Sequence, residues 1–148
     1  MNWRVALLFI ILFDGCKSTN NAGWRQLDAR LFTINAPGNW KLTIPQDQED
    51  SFVGEIVGPK VSLSFDCSSR GYANDLKDID SSSHHIKIDS SGKFLIKTIY
   101  PKKIGQGMTG IYIKDRSSTF DFQMNGMNLS AEDQQSALKA FKTITFKQ

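Results

Sequence analysis

The chain has 148 residues, a net charge of +3 and two cysteines. This length fits a single domain with a hydrophobic core of its own. The positive charge is mild and the lysines are dispersed, which argues against a nucleic-acid partner, because such a partner requires a clustered basic face.

The first 15 residues have the pattern of a bacterial export signal. Arg4 supplies a basic charge, and an unbroken apolar run occupies residues 5–13. Nine residues at about 1.5 Å each are too short to cross roughly 30 Å of bilayer hydrocarbon as a helix. A run of this length is typical of the h-region of a signal peptide. We therefore predict a cleaved signal over residues 1–15.

The end of this signal, Phe13-Asp14-Gly15-Cys16, resembles the lipobox of bacterial lipoproteins. The Gly-Cys pair matches, whereas Phe13 replaces the usual leucine and Asp14 the usual small or β-branched residue. The resemblance implies cleavage before Cys16, diacylglycerol on its sulfur and acyl chains such as palmitate, and two or three chains anchor a protein stably. The alternatives are an ordinary secretory signal, with Cys16 as a bystander, and an uncleaved anchor.

Residues 16–23 are small and polar, and they predict a flexible tether that leads to one domain over residues 24–148. No acidic run follows Cys16. In some bacterial groups such a run directs lipoproteins to the cell surface, so its absence favours the periplasmic face of the membrane. Cleavage and lipidation would leave Cys67 as the remaining thiol, which excludes a disulfide framework within the chain.

From Trp24 onward, alternating apolar and polar residues predict short strands joined by turns. The expected strands are residues 31–34 before Pro37-Gly38, 40–44 before Pro45, the hairpin 52–57 and 61–65, 85–89, 94–99 before Pro101, and the pair 110–114 and 119–124. Residues 67–83 are irregular, although Leu76 and Ile79 are suited to pin a short helical turn.

The C-terminal segment changes period. Ser130 is a good N-cap with Asp133 three residues later, and apolar spacing predicts a helix over residues 131–141. Residues 143–146 are β-prone and predict a terminal strand. Together these elements predict an α+β fold, with a mainly antiparallel sheet of about six to eight strands and the C-terminal helix packed on it.

Both ends of the domain resemble a known family. The run from Phe32 to Trp40, FTINAPGNW, looks like the opening of PsbP-like domains, and ALKAFKTITF, from Ala137 to Phe146, looks like their closing helix and strand. The same two ends also resemble those of small lipoproteins of Gram-negative bacteria. The resemblance implies an antiparallel sheet with helices packed on it and a binding or assembly role, without an activity. Phe32, Ile34, Trp40 and Phe141 are its packing residues.

Three side chains are candidates for chemistry: Cys67, His84 and His85. Adjacent residues of a strand point to opposite faces, so one metal ion does not readily take both histidines, and we expect no metal site. A Cys67–histidine pair has the residue types of a nucleophile and its base. The local sequence around Cys67 has no protease signature, however, and we expect a small thiol at a strand end.

Two further patterns are weak. Residues 105–110 read G-x-G-x-x-G, but the strand Ile111-Tyr112-Ile113 follows them where a dinucleotide-binding motif requires a helix. Asp75, Asp78 and Asp80 lack the spacing of a calcium loop. We expect no cofactor and no catalytic residue.

The sequence therefore predicts a non-enzymatic binding or assembly module in the bacterial cell envelope. We expect a lipid on Cys16 to anchor it to an envelope membrane, the outer or the inner one, on the periplasmic face. A protein partner in the envelope fits the same role. The alternatives are an envelope enzyme or metal-binding protein that uses Cys67, His84 or His85, and a secreted protein without a lipid.

Overall fold

A computed structural model describes residues 23–46 and 51–147. The elements in these ranges are β1 (Trp24–Asp28), β2 (Phe32–Pro37), β3 (Lys41–Thr43), β4 (Phe52–Val57), β5 (Ser62–Ser68), β6 (His84–Ser91), β7 (Phe94–Pro101), β8 (Met108–Asp115), β9 (Asp121–Met127), α1 (Ala131–Phe141) and β10 (Thr145–Phe146). The predicted signal peptide, Cys16 and tether residues 16–22 lie outside the described residues. In the described ranges, no helix has both the length and the apolar character needed to span a bilayer.

The strands form two antiparallel sheets. The large sheet has seven strands in the order β3-β4-β5-β9-β8-β7-β6, and the small sheet has three in the order β1-β2-β10. The α+β class with a mainly antiparallel sheet is thus confirmed, but the expectation of one sheet needs correction. The chain leaves the small sheet after Pro37, where a turn closed by the Trp40 N–H on the Pro37 carbonyl (2.9 Å) sends it into the large sheet.

The main core lies between the large sheet on one side and the small sheet with α1 on the other. The fully buried ring of Phe32 lies 5.1 Å from Phe65 and 5.0 Å from Phe122, centroid to centroid, in edge-to-face contacts that aromatic rings favour. Trp40 and Phe141 are 2% and 3% exposed, which confirms their prediction as core residues.

Helix α1 begins and ends where the sequence predicts. The Ser130 hydroxyl accepts the Asp133 N–H at 3.1 Å and donates to the Asp133 carboxylate at 2.7 Å. This N-cap satisfies a backbone donor that the helix itself leaves unpaired. Ala137, Ala140 and Phe141 bury the apolar face of the helix, which packs against β2 and β8.

One strand is missed by the sequence pattern and one local expectation is wrong. The pattern does not predict β1, because only Leu27 of its five residues is buried. The helical turn expected near Leu76 is absent: the side-chain Oδ1 atoms of Asn74 and Asp75 accept the N–H groups two residues ahead, and Leu76 has a positive φ of 55°. Such side-chain bonds compete with helix formation. Leu76 is nevertheless buried, and it holds residues 69–83 against the outer face of the large sheet.

Candidate functional site

The described part of the domain contains a groove beside the C-terminal end of α1. Because α1 packs over β2 and β8, strands β6 and β7 extend past it as an open wing of the large sheet. The groove between this wing and the helix has a volume of about 1240 Å³. That exceeds the roughly 300–1,000 Å³ of ordinary small-molecule pockets.

The floor and wall of the groove are apolar. Strands β7 and β8 supply the floor, and the end of α1 with the residues after it supplies the wall. The apolar lining of the floor and wall includes Phe94, Ile96, Ile111, Ile113, Leu138, Phe141 and Ile144. Side-chain alternation explains the floor, since Phe94, Ile96 and Thr98 face the groove while Leu95, Lys97 and Ile99 face the opposite side.

An aromatic cluster closes one end of the groove. The Phe146 ring centroid lies 5.5 Å from Phe94, 4.9 Å from Phe120 and 5.4 Å from Phe122. Strand β10 fixes this position, because Phe146 pairs with Phe32 in the small sheet. A two-residue strand thereby connects the small sheet to the groove.

The rim carries more positive than negative side chains. The lining includes the cations Arg30, Lys87, Lys93, Lys142 and Lys147 and the carboxylates Asp89 and Asp115. Three of these lysines form ion pairs, namely Lys87–Asp89 at 2.7 Å, Lys93–Asp115 at 2.6 Å and Lys147–Asp28 at 2.6 Å. Within the described residues, no carboxylate pairs with Arg30 or Lys142. Two cations therefore remain available at the rim.

Asp115 is the most strongly held carboxylate of the rim. The hydrogen bond from Lys93 keeps the pKa of Asp115 far below its usual range, and the Ser117 hydroxyl (2.6 Å) and N–H (2.9 Å) add to the effect. Asp115 therefore stays ionised, and it fixes Lys93 beside the ring of Phe94, with Nζ 5.3 Å from the ring centroid.

Cys67 lines the groove from β5 but is only 3% exposed. Burial, together with the negative charge of Asp66, raises the pKa of the Cys67 thiol to about 12. A nucleophilic cysteine requires the thiolate form, which electropositive surroundings favour. The surroundings of Cys67 have the opposite effect.

The two histidines face opposite sides of β6, as the sequence predicts. His84 is buried, with Nε2 accepting the Met108 N–H at 3.2 Å and Nδ1 2.8 Å from the Ser83 hydroxyl. His85 is exposed and lies over Tyr100, with the ring centroids 4.9 Å apart. Strands β9, β8 and β7 separate both residues from Cys67. Four strand spacings amount to about 19 Å, so Cys67 forms no catalytic pair with either histidine.

The remaining candidates are loop residues. Asp75, Asp78 and Asp80 are exposed, and Asp80 accepts the Ser82 N–H at 2.7 Å. In residues 23–46 and 51–147, no group of three His, Cys, Asp or Glu side chains is placed to hold a metal ion. Gly105 and Gly107 have positive φ angles in a turn that leads into strand β8, so this glycine-rich run does not open a helix.

Sequence reasoning did not find the groove. The alternation along residues 94–96 defines the two faces of β7. Both faces carry apolar residues, and nothing in the sequence indicates which of them other elements leave uncovered. Arg30 and Lys142 have no local signal at all.

Comparison of the chain with family profiles, with curated proteins and with solved structures found no match.

Proposed function

We propose that the chain is a membrane-tethered lipoprotein of the bacterial cell envelope that binds an anionic amphiphile in its groove without turnover. The ligand would have an acyl-like apolar part and one negatively charged group. The observation that carries this proposal is an apolar groove with two cations at its rim, Arg30 and Lys142, that form no ion pair with any carboxylate of the described residues.

The apolar part of the ligand would lie along the floor between Phe94 and Ile113. Phe94 and Ile96 are half-buried, as are Leu138 and Ile144 on the wall. Covering such side chains with an acyl chain removes apolar surface from water, which contributes about 25 cal/mol per Å². The groove therefore favours a long apolar group over a compact polar one.

The charged group would lie at the rim. Lys87, Lys93 and Lys147 form ion pairs with carboxylates, whereas no carboxylate in residues 23–46 and 51–147 pairs with Arg30 or Lys142. An anion near these two side chains completes their charge pairing, and a partly apolar surrounding strengthens the attraction relative to water. This arrangement supports a carboxylate or phosphate group on the ligand.

Two features support binding rather than catalysis. The thiol of Cys67 is kept protonated by its surroundings, and the histidines lie four strands away. The lipobox-like sequence ending at Cys16 supports the tether. A module of this kind would hold its amphiphile at the membrane surface.

The test uses residues 16–148, without the signal peptide and with Cys16→Ser, and a fluorescent fatty acid as the probe. We expect saturable binding that palmitate displaces and its methyl ester displaces at least tenfold less well. Ile96→Lys on the floor should abolish binding, while the matched control Ile104→Lys, at an exposed position outside the groove, should not.

The rim is tested separately with Lys142→Ala. It should weaken palmitate binding but leave methyl-ester binding unchanged, and the exposed Lys102→Ala is the control for a lost charge. Equal binding of palmitate and its methyl ester by the unchanged domain would overturn the proposal that the ligand is anionic. A lack of saturable binding to either would overturn the binding proposal as a whole.

A further inference from the structure

Strand β6 forms one edge of the large sheet. In the described residues it pairs with β7 and with no other strand. It runs for eight residues, His84–Ser91, and every residue after His84 is exposed. One side of β6 therefore presents unpaired backbone donors and acceptors, which is the surface to which another strand can add.

The edge lacks several of the usual protections. The register of β6 with β7 is continuous from His84–Pro101 to Ser91–Phe94, so no bulge interrupts it, and β6 contains no proline. Ile88 is 63% exposed on the face away from the groove, and Ile86 on the same face is 37% exposed. On the groove face, Lys87 and Asp89 form an ion pair at 2.7 Å.

We propose that β6 pairs in an antiparallel manner with β6 of a second copy of this chain, with Ile88 on the two-fold axis. In this register the two Ile88 side chains lie side by side, so each covers apolar surface that is exposed in the isolated copy. Lys87 of each copy lies opposite Asp89 of the other, and oppositely charged cross-strand pairs stabilise a sheet.

The charge pattern selects this register over its neighbours. Moving the axis from Ile88 to Lys87 places the two Lys87 side chains opposite each other, and moving it to Asp89 does the same for two carboxylates. Like charges directly opposite are destabilising. The sequence of β6 is thus self-complementary about Ile88, which is what an interface between two identical surfaces requires.

Self-pairing would also bring the two grooves together. A two-fold axis perpendicular to the sheet keeps the same face of each copy on the same side. Because Lys87 and Asp89 line the groove, the grooves of both copies would open on the same face of the joined sheet. Their charged rims would meet along the β6–β6 line.

Disulfide cross-linking of the full chain tests the register. Residues on the axis of an antiparallel pair have Cα atoms about 4.5–5.5 Å apart, within the range that a disulfide spans. We expect Ile88→Cys to form a covalent dimer under mild oxidation. Ile86→Cys should not form a dimer, because residue 86 of one copy would lie opposite Ser90 of the other rather than opposite its own equivalent. The unchanged chain controls for the native cysteines.

Charge reversal tests the partner. In the Ile88→Cys background, Lys87→Asp should reduce the dimer at least tenfold, because carboxylates would then face Asp89 of the other copy. The double change Lys87→Asp with Asp89→Lys should restore it. Three results would each overturn the proposal: no dimer with Ile88→Cys, equal cross-linking at Ile86→Cys, or no recovery of the dimer in the double change. The first of these would also be expected if a different protein pairs with this edge.

Discussion

Lys93 Nζ lies 2.6 Å from Asp115 Oδ2, and this ion pair joins the turn between β6 and β7 to the end of β8. Asp115 is buried, and its carboxylate contacts Lys93 and accepts hydrogen bonds from the N–H and hydroxyl of Ser117. The pair holds the base of the wing together at the rim of the groove. Protonation of Asp115 at low pH should therefore weaken both the fold and the rim of the groove.

The Lys93–Asp115 pair should make the stability of the domain dependent on pH. The pKa of Asp115 is lowered in the folded state, so its contribution is fully present above the unfolded value of 3.8 and is lost as the pH falls through the folded pKa. Lys93→Met should lower Tm at pH 7, and the difference from the unchanged protein should shrink steadily below pH 4.

Thermal melts between pH 2 and pH 7 measure this effect, with Lys114→Met as the matched control. Lys114 is exposed on β8 and forms no ion pair within the described residues, so its replacement removes the same charge alone. A Lys93→Met curve parallel to that of Lys114→Met at every pH would contradict the prediction.

Asp66 should show the opposite pH dependence. Burial, then the nearby charge of Asp121, raises the pKa of Asp66, so ionisation of this carboxyl costs stability as the pH rises through that value. Its Oδ1 and the Nε2 of Gln123, directly opposite on β9, are buried without hydrogen-bond partners in the described structure.

The Ser51 side chain forms a hydrogen bond with the Asp66 carboxylate. We therefore expect Asp66→Asn to raise Tm at pH 7, because the amide is uncharged and its oxygen can still accept this hydrogen bond. The gain should vanish near pH 3, where Asp66 itself is protonated. Thermal melts at both pH values provide the comparison. A loss of stability at pH 7 would show that the ionised carboxylate is favourable in this position.

Cys67 should be inert in the folded protein. The rise of its pKa from 9.0 to about 12 lowers the thiolate fraction about a thousandfold, and burial blocks access as well. In a Cys16→Ser chain, an aromatic disulfide reagent at pH 8 should react with Cys67 only in step with unfolding by urea. Rapid labelling in the absence of urea would point to a reactive thiol and revive the enzyme alternative.

Trp40 should be among the most costly core positions. It is 2% exposed and covers Gly58, where an added Cβ would lie 2.6 Å from its ring. Trp40→Ala should destabilise the domain by about 3–5 kcal/mol in urea melts, since it leaves a large cavity. Tyr72→Ala, which is 74% exposed, is the control and should change stability by less than about 0.5 kcal/mol.

The lipid anchor predicts a simple labelling result. Cells that express the full chain and receive radiolabelled palmitate should yield a labelled protein, and Cys16→Ser should yield unlabelled, unprocessed precursor. Cys67→Ser should label normally and serves as the matched cysteine control. An unlabelled wild-type chain would remove the membrane tether from the proposed function, while leaving the binding test of the soluble domain unaffected.

Local chemistry explains which elements the sequence predicts well. Helix α1 follows from Ser130 and the apolar spacing after it, both of which act within a few residues. The hairpin of β4 and β5 follows from two apolar runs around Gly58 and Pro59, because a short turn sets its own pairing. His84 and His85 face opposite ways because alternation is a property of any strand.

The sequence by itself determined the class of the fold, its helix, most of its strands and the prediction of a lipidated Cys16. Tertiary structure alone decided that the strands divide into two sheets, that Cys67 lies four strands from the histidines, and that the Phe94 face of β7 lines a groove. The physical reason is range. Periodicity defines the two faces of a strand, but what covers each face depends on residues such as Leu138 and Phe146, far away in the chain and brought near only by the packing of α1 and β10.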